Sequence, residues 1–150
     1  MSLMHFLRKQ PEEPAPVERH ELRQYRYLLR TAPPEALDAL HLDALLVLDP
    51  AVRAIILRTA QERLQTGRDL TVDDIHRLAR LMTVAEIRTP GVLVSGLVDI
   101  AHERLARAVL RQAAQTDLLD GYDTWDGMDP DLATSARRLS PPPEQLRRGA

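Results

Sequence analysis

The chain has 150 residues, 20 basic against 22 acidic side chains for a formal net charge of −2, and 44% hydrophobic but only 3% aromatic residues. That length suits one domain with tails, and the near-neutral balance argues against a general nucleic-acid binder, whose phosphate contacts need a basic excess. The absence of cysteine excludes disulfides, thiolate metal sites and cysteine nucleophiles.

Every basic residue except Lys9 is Arg, a bias that fits a GC-rich, bacterial-type coding sequence rather than a function. Residues 1–9 hold too few apolar side chains (Leu3, Met4, Phe6 and Leu7 after Met1) for a secretory signal. The longest uncharged run, residues 89–98, is half of the roughly 20 residues that a membrane span needs. The expectation is a cytoplasmic protein with no transmembrane segment.

In chain order, residues 1–16 read as a flexible segment and linker, with Pro11, Pro14 and Pro16 around Glu12 and Glu13. Residues 17–116 form the expected helical domain, because apolar residues recur there at helical spacing and Gly occurs only at 67, 91 and 96. Helix starts are signalled by Thr31 with Pro33 and Pro34, Asp49 with Pro50, Thr71 with Asp73 and Asp74, and Thr89 with Pro90. Helices are expected over 18–31, 34–47, 50–66, 72–83 and 99–115, with Gly67 closing the third.

The second helix is apolar on two sides, Leu37, Leu40, Ala44 and Leu48 with Leu42, Leu45 and Leu46, which predicts a central position. Residues 90–98 suit a short helix or turn, because a lone strand would have no partner. The predicted class is an all-α compact bundle of about five helices with flexible N- and C-terminal tails. Residues 33–64 resemble one HEAT-type helical hairpin, with an Asp-Pro-x-Val-Arg turn at 49–53; no second such turn follows, so no repeat array is expected.

Two surfaces carry the functional expectation. On the first helix Arg19, Arg23, Arg26 and Arg30 follow spacings of four, three and four and fall on one strip. Such a strip is either a plain solvated face or a docking site for an anionic partner. Residues 117–131 contain six Asp and no base, interleaved with Tyr122 and the only Trp, Trp125. Acidic residues alternating with large apolar ones suit a segment that docks on a partner, or the rings fold back onto their own bundle. Residues 132–150 read as a disordered Pro/Arg tail.

The leading expectation is therefore a non-catalytic interaction or adaptor protein that docks an anionic or helical protein partner through Arg19, Arg23, Arg26, Arg30, Tyr122 and Trp125. The two surfaces are free to meet within a chain or between chains, so self-association is an option.

One alternative is a helix-turn-helix-like DNA-binding regulator using residues 70–91. It is disfavoured by Arg80 where the turn favours Gly, by Glu86 where an apolar residue should pack, and by Pro90. A second is a helical metal-dependent enzyme using Asp73 with His76 and Asp99 with His102, each pair three residues apart. Both Asp sit where caps and first helical turns call for acids anyway. His41 reads as a boundary or satisfied core residue. No phosphate-binding glycine loop, G-x-S-x-G or H-E-x-x-H is present, and no catalytic residue, metal or cofactor is assigned.

Overall fold

The computed structural model describes residues 18–130 and 132–139. Their fold is all-α: α1 (His20–Thr31), α2 (Pro34–Val47), α3 (Pro50–Leu64), α4 (Ile75–Arg88), α5 (Asp99–Ala113) and a short α6 (Leu132–Leu139). Short 3-10 turns lie at Val94–Gly96 and Tyr122–Thr124, and there is no strand among the described residues. The bundle of about five helices is present, and α6 adds a helix within residues that read from sequence as tail. The expected linker over residues 1–16 and the chain beyond Leu139 lie outside the described residues.

The helix boundaries follow local chemistry. Asp49 caps α3 as expected, its Oδ1 accepting from the Ala51 amide at 3.2 Å, while Pro50 occupies the first helical position. Thr31 does not cap α2; its hydroxyl donates back to the Tyr27 carbonyl at 2.8 Å, and Pro33 and Pro34 alone start the helix. The α3 helix stops at Leu64 because Gln65 turns left-handed, with φ 54°, and Gly67 follows at φ 71°.

The fourth helix is displaced from its expected span of 72–83. Asp74 accepts from the amide and hydroxyl of Thr71, at 2.7 and 3.2 Å, so residues 71–74 form a tight turn and the helix begins at Ile75. It then continues to Arg88. Thr89 with Pro90 starts no helix; it opens a turn closed by Val92 N–H to Thr89 O at 3.0 Å. Residues 90–98 are turns and one 3-10 turn, in line with the sequence reading.

Helix α2 is central. It packs on α4 and α5, while α1 and α3 each lie against those same two helices and α6 rests on α4. Leu37, Ala44 and Leu45 have no exposure and Leu40 and His41 are buried beside them, whereas Leu46 faces solvent. Because α2 turns to α4 and α5, the segment resembling a HEAT-type hairpin is not a packed pair of neighbours. The core joins Leu28 and Leu29 of α1, Ile56 and Ala60 of α3, Leu78 and Met82 of α4 and Leu105 and Val109 of α5. Each such Leu or Ile contributes about 1.5–3 kcal/mol through burial.

Candidate functional site

A buried carboxylate organises one end of the bundle. Glu86, on α4, has no exposure, and its two oxygens accept from the amides of Gly91, Leu93 and Val94 at 2.9, 2.8 and 3.0 Å. Oε1 also accepts from the Arg30 guanidinium at 3.3 Å. A charge this deep is tolerable only when paired and fully hydrogen-bonded. That condition is met here, so the residue that reads as wrong for packing is accommodated inside α4, which runs past position 83 to Arg88. The same carboxylate holds the loop that leads into α5.

Arg30 carries this centre outward. Its side chain is 3% exposed, and its Nε donates to Asp129 at 2.5 Å. The strip on α1 is therefore no uniform solvated face. At its outer end Arg19 pairs with Glu103 of α5. Arg26 forms a bidentate pair with Glu18, both contacts 2.9 Å, and this pair holds the Glu18 carboxyl below its ordinary range and raises the Arg26 guanidinium.

The two expected surfaces meet within the chain. Residues 117–130 form an arm across α1, with the Trp125 ring centroid 4.8 Å from the Arg23 guanidinium and 4.7 Å from that of Arg26. Arg23 lies also 5.5 Å from the Tyr122 ring. Backbone contacts reinforce this, as Arg23 Nη2 donates to Trp125 O at 3.3 Å and Arg26 Nη1 to Gly127 O at 2.7 Å. Tyr27, buried between the strip and the core, makes edge contacts with Tyr122 and Trp125 at 5.7 and 5.4 Å.

The chemistry of the contact differs from simple Arg-to-Asp docking. Of the arm's acids only Asp129 pairs with an arginine among the described residues; rings and carbonyls supply the rest, a mode suited to guanidinium planes. Two glycines permit the approach. A Cβ at Gly121 would stand 2.5 Å from Tyr27 Oη, and Gly127 turns at φ 82° with Arg23 Nη2 close by. Asp126 sets that last turn by accepting from Met128 N at 2.9 Å. Further on, Arg138 of α6 donates to the carbonyls of Leu29, at 2.9 Å, and Ala32, satisfying the C-terminal end of α1. Burial, with the neighbouring Arg30, lowers the Arg138 guanidinium.

A second polar chain lies deeper. The Tyr25 hydroxyl is 2.8 Å from His41 Nε2, and His41 Nδ1 is 2.8 Å from Thr83 Oγ1. Since the Thr83 hydroxyl donates to Ala79 O at 2.9 Å, its oxygen must accept from His41 Nδ1–H. Nε2 then accepts from Tyr25. All three groups are satisfied with His41 neutral, and burial depresses its pKa to about 3. Burial, with Glu86 nearby, raises the Tyr25 hydroxyl well above its ordinary value. His41 is thus a satisfied core residue, and it ties α1 and α4 to α2.

The other candidates are not brought together. Asp73 lies in the turn before α4, His76 is exposed, and Asp99 is the first residue of α5. His102 instead stacks edge-on against Tyr25 at 6.3 Å, and burial lowers its pKa. No group of three or more His, Asp or Glu able to hold a metal ion exists among the described residues. Residues 75–88 are one uninterrupted helix running through Arg80, so the 70–91 segment lacks the second helix that a helix-turn-helix requires. No described helix is long and apolar enough to cross a membrane. The chain matches no protein-family model, no curated protein and no solved structure.

Proposed function

We propose that this is a non-catalytic interaction protein whose α1 arginine face recognises an acidic segment of a protein partner that carries aromatic rings, with the chain's own arm seated there in its absence. The observation that carries this reading is the pair of guanidinium groups within 4.8 Å of Trp125, flanked by the Arg30–Asp129 contact. Nothing in those contacts requires the ring and carboxylate to belong to the same chain. A partner offering an equivalent Trp and acid would replace the arm, and two copies exchanging arms would self-associate. The bundle and its lack of a membrane-crossing helix among the described residues accord with a cytoplasmic setting.

The test uses the full chain with its arm loosened by Tyr122→Ala and Trp125→Ala, and a fluorescent peptide of residues 117–130. Binding should be saturable to the loosened chain, at least about tenfold weaker to the intact chain, and abolished when Arg23 and Arg26 are also changed to Glu. Capture that ignores the two charge reversals would defeat the proposal.

A further inference from the structure

A cleft between α3 and α4 combines an apolar floor with two cations that pair with no described residue. It has a volume of about 260 Å³ and is floored by Leu64, Leu81, Val84 and Val92, all half-buried. Arg63 of α3 and Arg88 of α4 stand on its walls with the hydroxyl-bearing Thr66 and Thr89, and no acidic residue lines it. Among the described residues neither guanidinium has an ion-pair or hydrogen-bond partner. This contrasts with α1, where every arginine of the strip is engaged.

The position of Arg63 has a second cause in the fold. A Cβ at Gly96 would stand 2.3 Å from Arg63 Nε and 2.8 Å from Cζ, so the guanidinium lies directly against the Gly96 backbone and an alanine methyl there would displace it. The 3-10 turn that contains Gly96 is fixed through the Glu86 contacts to the amides of Leu93 and Val94. A cation resting on this turn beside an apolar recess offers a ligand of opposite charge a contact next to an apolar surface. The apolar floor also continues along α4, since Leu81 and Val84 line a neighbouring hollow beside Arg80.

We infer that this cleft binds a small organic carboxylate with an apolar body, the carboxylate meeting Arg63 and Arg88 and the chain or ring lying on Leu81 and Val84. Two guanidinium groups suit a carboxylate through paired N–H donors, and the hydroxyls of Thr66 and Thr89 add donors at the same mouth. A free phosphate would leave the floor unused, and an uncharged apolar molecule would leave the cations unused. The inference does not depend on what occupies the α1 face.

The test is a titration of the full chain with octanoate, followed by the amide NMR shifts of Gly91, Gly96 and Val92, with octanamide as the uncharged counterpart. Octanoate should give saturable shifts, and octanamide should bind at least about tenfold more weakly, the scale of one charge-assisted hydrogen bond. The same loss is expected for octanoate with the Arg63→Gln, Arg88→Gln variant, whose exposed substitutions leave the melting temperature unchanged. Gly96→Ala should weaken binding by pushing Arg63 off its seat. Equal affinity for octanoate and octanamide, indifference to the double variant, or no saturation up to about 10 mM, beyond the weak end of specific recognition, would each overturn the inference.

Discussion

Glu86→Ala isolates the interaction on which most of this architecture depends. The substitution removes the acceptor of four hydrogen bonds from a site with no exposure. Three donors are backbone amides, each costing about 1–3 kcal/mol when left unpaired. The fourth is Arg30, and stranding one member of a buried pair costs about 3–5 kcal/mol. These costs overlap, because opening of residues 91–94 would hydrate several groups together, and Asp129 still faces Arg30. A net loss of about 4–6 kcal/mol is expected, about a quarter or more of the usual total stability of about 5–15 kcal/mol. Urea unfolding followed by far-UV circular dichroism measures it. Glu86→Gln keeps one carbonyl acceptor and should lose about half as much. In an Arg30→Met background Glu86→Ala should cost at least about 1 kcal/mol less, since no cation is stranded. A loss below about 1 kcal/mol for Glu86→Ala, or an identical loss in both backgrounds, would refute the account.

Trp125 is the only tryptophan, so its fluorescence reports the arm directly: Arg23→Gln with Arg26→Gln should red-shift the emission and raise iodide quenching, and an unchanged spectrum would show that the cations do not hold the ring. Gly121→Ala should free the arm by a different route, because the new methyl would stand 2.5 Å from Tyr27 Oη, and limited proteolysis within residues 117–130 should accelerate. For acid stability, His41 has a folded pKa of about 3 against an ordinary value of 6.5. The unfolded chain therefore takes up a proton that the folded chain refuses between those limits, and stability falls as pH drops through that window, by about 2 kcal/mol between pH 7 and 5. Burial lowers His102 as well, which adds with the same sign. Comparing urea midpoints at the two pH values, His41→Gln should flatten the dependence, whereas an unaltered slope would exclude His41 as its source. Leu45→Ala, at a position with no exposure in the central helix, should cost about 2–5 kcal/mol without altering the Trp125 spectrum.

The helical class and four of the five core helices were legible in the sequence because apolar spacing and proline starts are local signals. The Asp49–Pro50 start succeeded since both residues act within one turn. Glu86 was illegible for the opposite reason. Its partners are Arg30, 56 residues away, and amides of a loop whose path depends on it, so on the helix surface it reads only as a misplaced charge. The one local trace was an acid continuing the stripe of Ile75, Leu78, Ala79 and Met82 a turn later. For the candidate site, the strip and the aromatic arm were each visible, but their meeting was not. That meeting depends on Gly121 admitting Tyr27 and on Gly127 turning the chain over Arg23, which look like ordinary Asp-Gly turns in sequence. Arg138 was lost in what read as tail, since its acceptors are carbonyls at the far end of α1.

The arm's covalent attachment decides how the α1 face can act. Only residues 114–121 separate the end of α5 from the aromatic 3-10 turn, and a tether of that kind presents its segment at an effective concentration on the order of millimolar. If the arm and a partner segment each bound with a dissociation constant near 1 μM, the tethered arm would be seated about a thousandfold in excess, and the partner would bind with an apparent constant near 1 mM. Replacement in the intact chain therefore needs a partner that makes contacts beyond those of the arm, or a change that unseats Trp125 or Asp129 first. Arg19, Arg26 and Arg30 keep their pairs with Glu103, Glu18 and Glu86 when the arm leaves, so the face it uncovers is modestly basic, and Arg23, whose described contacts are the arm's rings and a carbonyl, is the cation a partner gains.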